Sequence, residues 1–178
     1  MNPAQLRRVT LESFAHYRPG LVELLLDAVA DGASIGFLND LDSAAATDYF
    51  NSLSVEISQG DRLLWVVVKN EAVVASVQLA LCQKPNGRNR AEVQKLLVRT
   101  DCRRHGLGSQ LMTALESEAR HLKRGLLFLD TETGSPAEDF YQGLGYQRAG
   151  QIPDYACSPD GTYRPTSLYF KLLQGPRS

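Results

Sequence analysis

The spacing of apolar and polar positions changes period repeatedly along the chain, and each change marks an element. Residues 5–10 alternate weakly, as a half-exposed edge strand does, and residues 13–30 then carry Leu21, Leu24, Leu25, Ala28 and Val29 at helical spacing. Asp31, Gly32, Ala33 and Ser34 break that helix. Asp42 or Ser43 can cap a second one, reaching about residue 57 with Ala46, Tyr49, Phe50 and Leu53 on one face. After Gly60 and Asp61 the period falls to that of strands: residues 63–68 and 72–82 are rich in β-branched side chains and flank a tight Asn70-Glu71 turn.

A Lys84-Pro85-Asn86-Gly87 turn leads to a fourth strand over residues 91–98. The helix beyond it places Leu107, Leu111, Met112, Leu115 and Leu122 on one stripe, with Arg120, His121, Lys123 and Arg124 opposing its negative end and Gly125 stopping it. Residues 126–130 read as a buried strand. The last helix has a well-specified start, with Ser135 to cap, Pro136 at the first position and Glu138 completing a capping box, and it frays at Gly143 and Gly145. A strand near residues 146–151, an irregular excursion over 153–166 and a strand over 167–173 close the chain. The order is β-α-α-β-β-β-α-β-α-β-β, seven strands and four helices, which predicts one α/β domain over residues 1–178, of the α+β kind, with a mixed sheet flanked on both faces.

The junction after the fourth strand carries the chemistry. Arg103, Arg104 and His105 precede Gly106-Leu107-Gly108 at a helix start, where free N–H groups, a positive dipole end and closely approaching backbone can hold a pyrophosphate. Leu111 stands where a dinucleotide fingerprint needs a third small residue, and no Gly-Lys pair exists to make a Walker loop. NAD and nucleoside triphosphate hydrolysis are therefore disfavoured.

Composition narrows the partners. Nineteen basic and twenty acidic residues give a formal charge of −1, which argues against a general nucleic-acid or membrane-surface binder. Cys82, Cys102 and Cys157 are too widely spaced for a disulfide framework or a zinc site, and His16, His105 and His121 lack ligand spacing, so no metal is expected. The residues before the first helix lack the apolar core of a signal peptide, and a reducing cytoplasm is the expected compartment.

The pattern Arg103-x-x-Gly106-x-Gly108 after a strand, with Phe140-Tyr141 in the last helix, resembles the GNAT N-acetyltransferase superfamily, and the element order extends the resemblance over essentially the whole chain. Within it, the stretches LLWVVV, LCQKPNG, NRAEVQKL, KRGLL and LDTE, with PDG near the end, are similar to the branch that confers tabtoxin resistance on plant-pathogenic pseudomonads. The resemblance implies transfer of acetyl from acetyl-CoA to the amine of a small amino-acid-like toxin. It also implies a splay between the fourth and fifth strands, where backbone of Leu96, Leu97 and Val98 would meet the pantetheine arm. Arg103, Arg104, His105, Gly106, Leu107, Gly108 and Ser109 would cradle the pyrophosphate, and Thr131 and Ser135 would add cofactor contacts.

Acetyl transfer to an amine needs a base for the ammonium and an acid for the departing thiolate. Tyr141 is the candidate acid, because an unperturbed phenol near pKa about 10 lies close to an alkyl thiol. Its neighbour Phe140 belongs with Ala137 and Leu144 on the core stripe. Glu92, expected to share a strand face with Gln94 and Leu96, and Asp130, at a strand end, are candidate bases, directly or through a water; either could instead grip the substrate ammonium. Cys102 lies too near the pyrophosphate loop for an acetyl-cysteine route, so direct transfer in a ternary complex is expected. Phe37, Trp65, Tyr155 and Tyr163 are candidate walls for the acceptor. The open alternatives are another small amine as acceptor, such as an aminoglycoside, polyamine or amino acid, and a non-catalytic acyl-CoA sensor. A homodimer through the terminal strands is a further possibility the sequence leaves open.

Overall fold

The computed structural model describes residues 3–173. Its strands are β1 (Gln5–Val9), β2 (Arg62–Lys69), β3 (Ala72–Leu81), β4 (Arg90–Val98), β5 (Leu126–Glu132), β6 (Gln147–Cys157) and β7 (Tyr163–Leu172). The helices α1 (Leu11–Ala30), α2 (Ser43–Gln59), α3 (Leu107–His121) and α4 (Pro136–Gly143) interleave with them in the expected order. All seven strands join one sheet, β1-β2-β3-β4-β5-β7-β6, in which only β4 and β5 run parallel. Among the described residues no helix is long and apolar enough to cross a membrane.

Alternation along the strands divides the core into two layers. Trp65, Val67, Val77, Leu79, Ala91, Val93, Leu127 and Leu129 pack under α3 and α4, whereas Leu64, Val66, Val73 and Leu97 pack under α1 and α2. The α1 helix begins earlier than the apolar spacing suggests. Thr10 is its N-cap, and Thr10 and Ser13 satisfy each other's backbone N–H groups in a capping box, so β1 stops at Val9. Within α1, Gly20 lies against β3: a Cβ there would meet Val73 Cγ2 at 2.8 Å. Gly20→Ala is therefore expected to destabilise the fold by about 1–3 kcal/mol through overpacking, read as a lower urea midpoint. An unchanged midpoint would mean that β3 yields freely at this contact.

Four expectations are corrected. The α3 helix ends at His121, Lys123 takes a left-handed φ of 58°, and Leu122 is exposed instead of extending the core stripe. Arg124 is buried and donates to the carbonyls of Cys82 and Arg88, so it buttresses the β3–β4 turn and does not serve the helix dipole. The capping box of α4 is not formed: Ser135 occupies the N-cap without bonding the helix N–H groups, and Glu138 instead accepts from the Gly134 N–H at 2.7 Å and the Tyr169 hydroxyl at 2.7 Å. The segment over 153–166 is not an irregular excursion either. Most of it continues β6 and β7, with Asp154 at φ 49° and register shifts absorbing the prolines, as an edge strand permits.

Candidate active site

The pairing of β4 with β5 covers only Arg90↔Leu126, Ala91↔Leu127 and Glu92↔Phe128; beyond it the two strands separate. A wedge thus opens in the middle of the sheet, bounded by β4 from Val93 onward and by the end of β5. Leu96, Leu97 and Val98 lie along it with backbone that β5 leaves unpaired.

A bulge shapes the β4 side. Gln78 pairs with Gln94 but Ser76 pairs with Leu97, so one extra residue sits in β4, and Lys95 takes φ 49°. The extra residue shifts the phase of alternation. Leu96 consequently packs toward α3, opposite to the face of Glu92 and Gln94, where the sequence had expected it beside them. Lys95 is turned toward α1 and α2, its ammonium lying 5.8 Å from the Phe37 ring centroid and 5.4 Å from that of Tyr49.

Glu92, Phe128 and Asp130 share this same face, as the Glu92↔Phe128 register requires. Asp130 is exposed and accepts from the Thr166 hydroxyl at 3.2 Å. Burial pulls the Lys95 ammonium below the usual lysine value and Arg62 adds to this, while Asp130 and Glu92 act in the opposite sense. Both carboxylates are therefore electrostatic neighbours of one lysine.

Tyr141 comes from the other layer. It is buried, 8% exposed, and its ring packs edge-on against Phe140 and Tyr146 at 5.3 and 5.7 Å. Among the described residues its hydroxyl has no hydrogen-bond partner, and the oxygen itself is not sealed from solvent. Burial pushes this phenol well above its ordinary value and the Asp130 carboxylate adds to the shift, so the group stays protonated. Burial and Glu116, which accepts from its hydroxyl at 3.3 Å, push Tyr146 up as well. A phenol with a raised folded pKa contributes stability that is fully present below about pH 10 and lost as pH rises through the folded value. Melting temperature is thus expected to fall above about pH 10, with Tyr146→Phe flattening the fall; an unchanged slope would place the alkaline sensitivity elsewhere.

The candidate anion-binding half is the loop before α3. Gly106 is the N-cap at φ 75° and gives no side-chain cap, and Arg104 also takes a left-handed φ of 62°. Gln110 is the first N–H satisfied along the helix, by Gly106 O, so the N–H groups of Leu107, Gly108 and Ser109 remain free for an anion. The second glycine has a packing reason too: a Cβ on Gly108 would stand 3.2 Å from Phe140 Cζ, so the close approach of α3 and α4 depends on it. Arg103 is exposed but paired with Asp31 at 2.6 Å, which leaves Arg104 and His105 as the loop's basic groups without an acidic partner among the described residues. His105 Nδ1 lies 3.2 Å from Cys102 O. Cys102 is buried in the α3-side core, and Thr131 and Ser135 face each other at 3.4 Å.

The expected acceptor walls fare unequally. Phe37 lies at the site, edge-on to Tyr49 at 5.2 Å. Trp65 does not: it is 4% exposed in the opposite layer, with the Arg8 guanidinium over its ring. Tyr155 and Tyr163 are exposed on the outer hairpin, 52% and 66%. A polar network that residue spacing did not reveal lies under α2. Arg62 donates to Glu56, Gln78 and Gln94, and Gln78 bonds the Tyr49 hydroxyl. Its members stand far apart in the chain, and only the alternating polar positions at Ser76 and Gln78 in an otherwise apolar strand hinted at it. The α1–α2 loop closes over this side by a bond from Asn39 N–H to Pro159 O, and Ser158 reaches Glu132 at 3.1 Å.

Residues 21–146 match the sequence model of the acetyltransferase (GNAT) family. Among solved structures, the chain is similar to an N-acetyltransferase from Staphylococcus aureus Mu50, with a TM-score of 0.79, 15% identity, and coverage of 97% of this chain and 100% of that one. It is similar to yncA from Salmonella typhimurium, solved with its cofactor acetyl-CoA, at TM-score 0.77, 17% identity, and 99% and 98% coverage. A candidate phosphinothricin N-acetyltransferase superposes at TM-score 0.78, 18% identity, and 97% and 100% coverage. At these identities the likeness to the solved structures speaks for the fold.

Proposed function

Because the chain belongs to the acetyltransferase (GNAT) family, whose members use acetyl-CoA, we propose that it acetylates the amine of a small amino-acid-like toxin, tabtoxinine-β-lactam, by direct transfer, and so confers resistance to it. The observation that carries this reading is the wedge between β4 and β5, with a protonated, unpartnered Tyr141 hydroxyl from one layer and the Glu92 and Asp130 carboxylates on the opposite face.

The residues fit the donor. The free N–H groups of Leu107, Gly108 and Ser109, with Arg104 and His105, suit a pyrophosphate, and β4 backbone beyond Glu92 suits an extended amide-bearing arm. Acetyl-CoA, when bound, supplies an acetyl group activated as a thioester. Tyr141 then holds a proton ready for the departing sulfur. Glu92 and Asp130 orient the acceptor ammonium and take its proton, directly or through a water, so that the free amine attacks.

The substrate rests on the similarity of the stretches quoted above to the tabtoxin-resistance branch. A non-catalytic sensor would have no use for a proton donor and two carboxylates at the wedge. The edge strand β6, with Ile152 and Tyr155 exposed, is where a homodimer would form, and the three free cysteines suit a reducing cytoplasm.

Release of CoA thiol from acetyl-CoA, with mass analysis of the acceptor, tests this against aminoglycosides, polyamines and amino acids. Selective acetylation of the β-lactam supports it. Turnover of a different amine overturns the substrate, and tight cofactor binding without any acceptor favours the sensor.

A further inference from the structure

Lys95 is the residue on the acceptor side whose position is hardest to explain by packing. A non-glycine residue with a left-handed φ inside a strand is uncommon and strained, and such strain persists only where the surroundings over-determine it. Here its effect is to lift a lysine from the α3 side of β4 to the side of Glu92 and Asp130. The ammonium rests against the rings of Phe37 and Tyr49 and beneath Gly36, where an added Cβ would be 3.9 Å from Nζ. Ring faces attract the charge but accept none of its three N–H donors in the way an oxygen does. Among the described residues no oxygen lies within hydrogen-bond distance of it. Arg62, which also lies on this face, is spent on Glu56, Gln78 and Gln94.

The side chain is half-buried below the α1–α2 loop, close to where that loop meets the β6–β7 turn. The Lys95 ammonium and two carboxylates therefore share one face of the sheet, and their charges complement a zwitterion: an acceptor ammonium between Glu92 and Asp130, an acceptor carboxylate on Lys95. We propose that Lys95 is a carboxylate clamp, selecting amines that also carry a carboxylate group over simple amines and polyamines. The proposal rests on the reading that the acceptor enters on the α1 and α2 side of the wedge.

The test is calorimetric binding of the ordinary amino acids and of tabtoxinine-β-lactam, each beside its methyl ester, to the native protein, Lys95→Met and Lys95→Arg. The native protein is expected to bind at least one free acid in preference to its ester. Lys95→Met should weaken that acid by about tenfold or more and leave the ester within about twofold, and Lys95→Arg should recover most of the loss. Equal weakening of acid and ester would reduce Lys95 to a packing role and overturn the clamp. So would undiminished acid binding by Lys95→Met, or a native protein indifferent to esterification. CoA release measured on the same samples keeps the two readings apart: acids held through Lys95 without turnover would support the clamp and overturn acetyl transfer.

Discussion

Replacing Tyr141 with phenylalanine is expected to lower kcat by about 100-fold or more while the KM for acetyl-CoA stays within about twofold. The substitution is clean because the ring is the part that packs. Phenylalanine keeps the edge-on contacts with Phe140 and Tyr146, and the lost hydroxyl had no partner among the described residues to strand. The buried phenol also refines the proton argument. In the sequence an ordinary phenol matches a thiol in pKa; in the fold, burial and Asp130 raise it, so it can no longer hand over its proton without cost. Its contribution begins as a hydrogen bond to charge developing on sulfur, the proton following as the bond to the acetyl group breaks. Such an interaction lowers kcat when removed and leaves cofactor binding nearly untouched. Equal loss of kcat and cofactor affinity would remove the proposed acid role.

The two carboxylates give the second large effect. Glu92→Gln and Asp130→Asn are each expected to reduce kcat/KM for the acceptor by about 10- to 100-fold, with the double variant no more than a few-fold below the worse single one. Non-additivity is expected because both act on one ammonium from one face, a placement that the Glu92↔Phe128 register dictates. Asp130 has the wider reach, since it influences both Lys95 and the Tyr141 hydroxyl, while Glu92 influences Lys95. A double variant equal to the product of the singles would show two independent tasks, such as ammonium binding by one and proton removal by the other. Steady-state kinetics with acceptor and cofactor varied in turn distinguishes these outcomes.

Much of the scaffold was legible because it depends on local chemistry. Apolar spacing in α1, α2 and α3, the β-branched runs of β2 and β3, and the glycines before α3 each carry their structural reason within a few residues. The wrong readings have long-range causes. Trp65 lies in the layer opposite the expected wall, because a lone tryptophan in a strand has no preferred face until the sheet's register decides which layer it enters. Glu138 leaves the α4 cap box because Tyr169, thirty-one residues on, offers a better-placed hydroxyl. Leu96 changes sides because one extra residue in β4 inverts the alternation, and nothing in the sequence around Lys95 marks a bulge, since the usual marker, glycine, is absent there.

By itself the sequence determined the element order, the anion-holding helix start and the inventory of groups able to move a proton, because helix periodicity, capping chemistry and glycine backbone freedom act over short distances. The tertiary structure alone decided where β4 and β5 part, that Arg103 faces Asp31, and that Glu92, Lys95 and Asp130 share one face of the sheet while Tyr141 comes from the other layer. Those outcomes depend on strand register and on burial shared among segments distant in the chain, which no local pattern encodes.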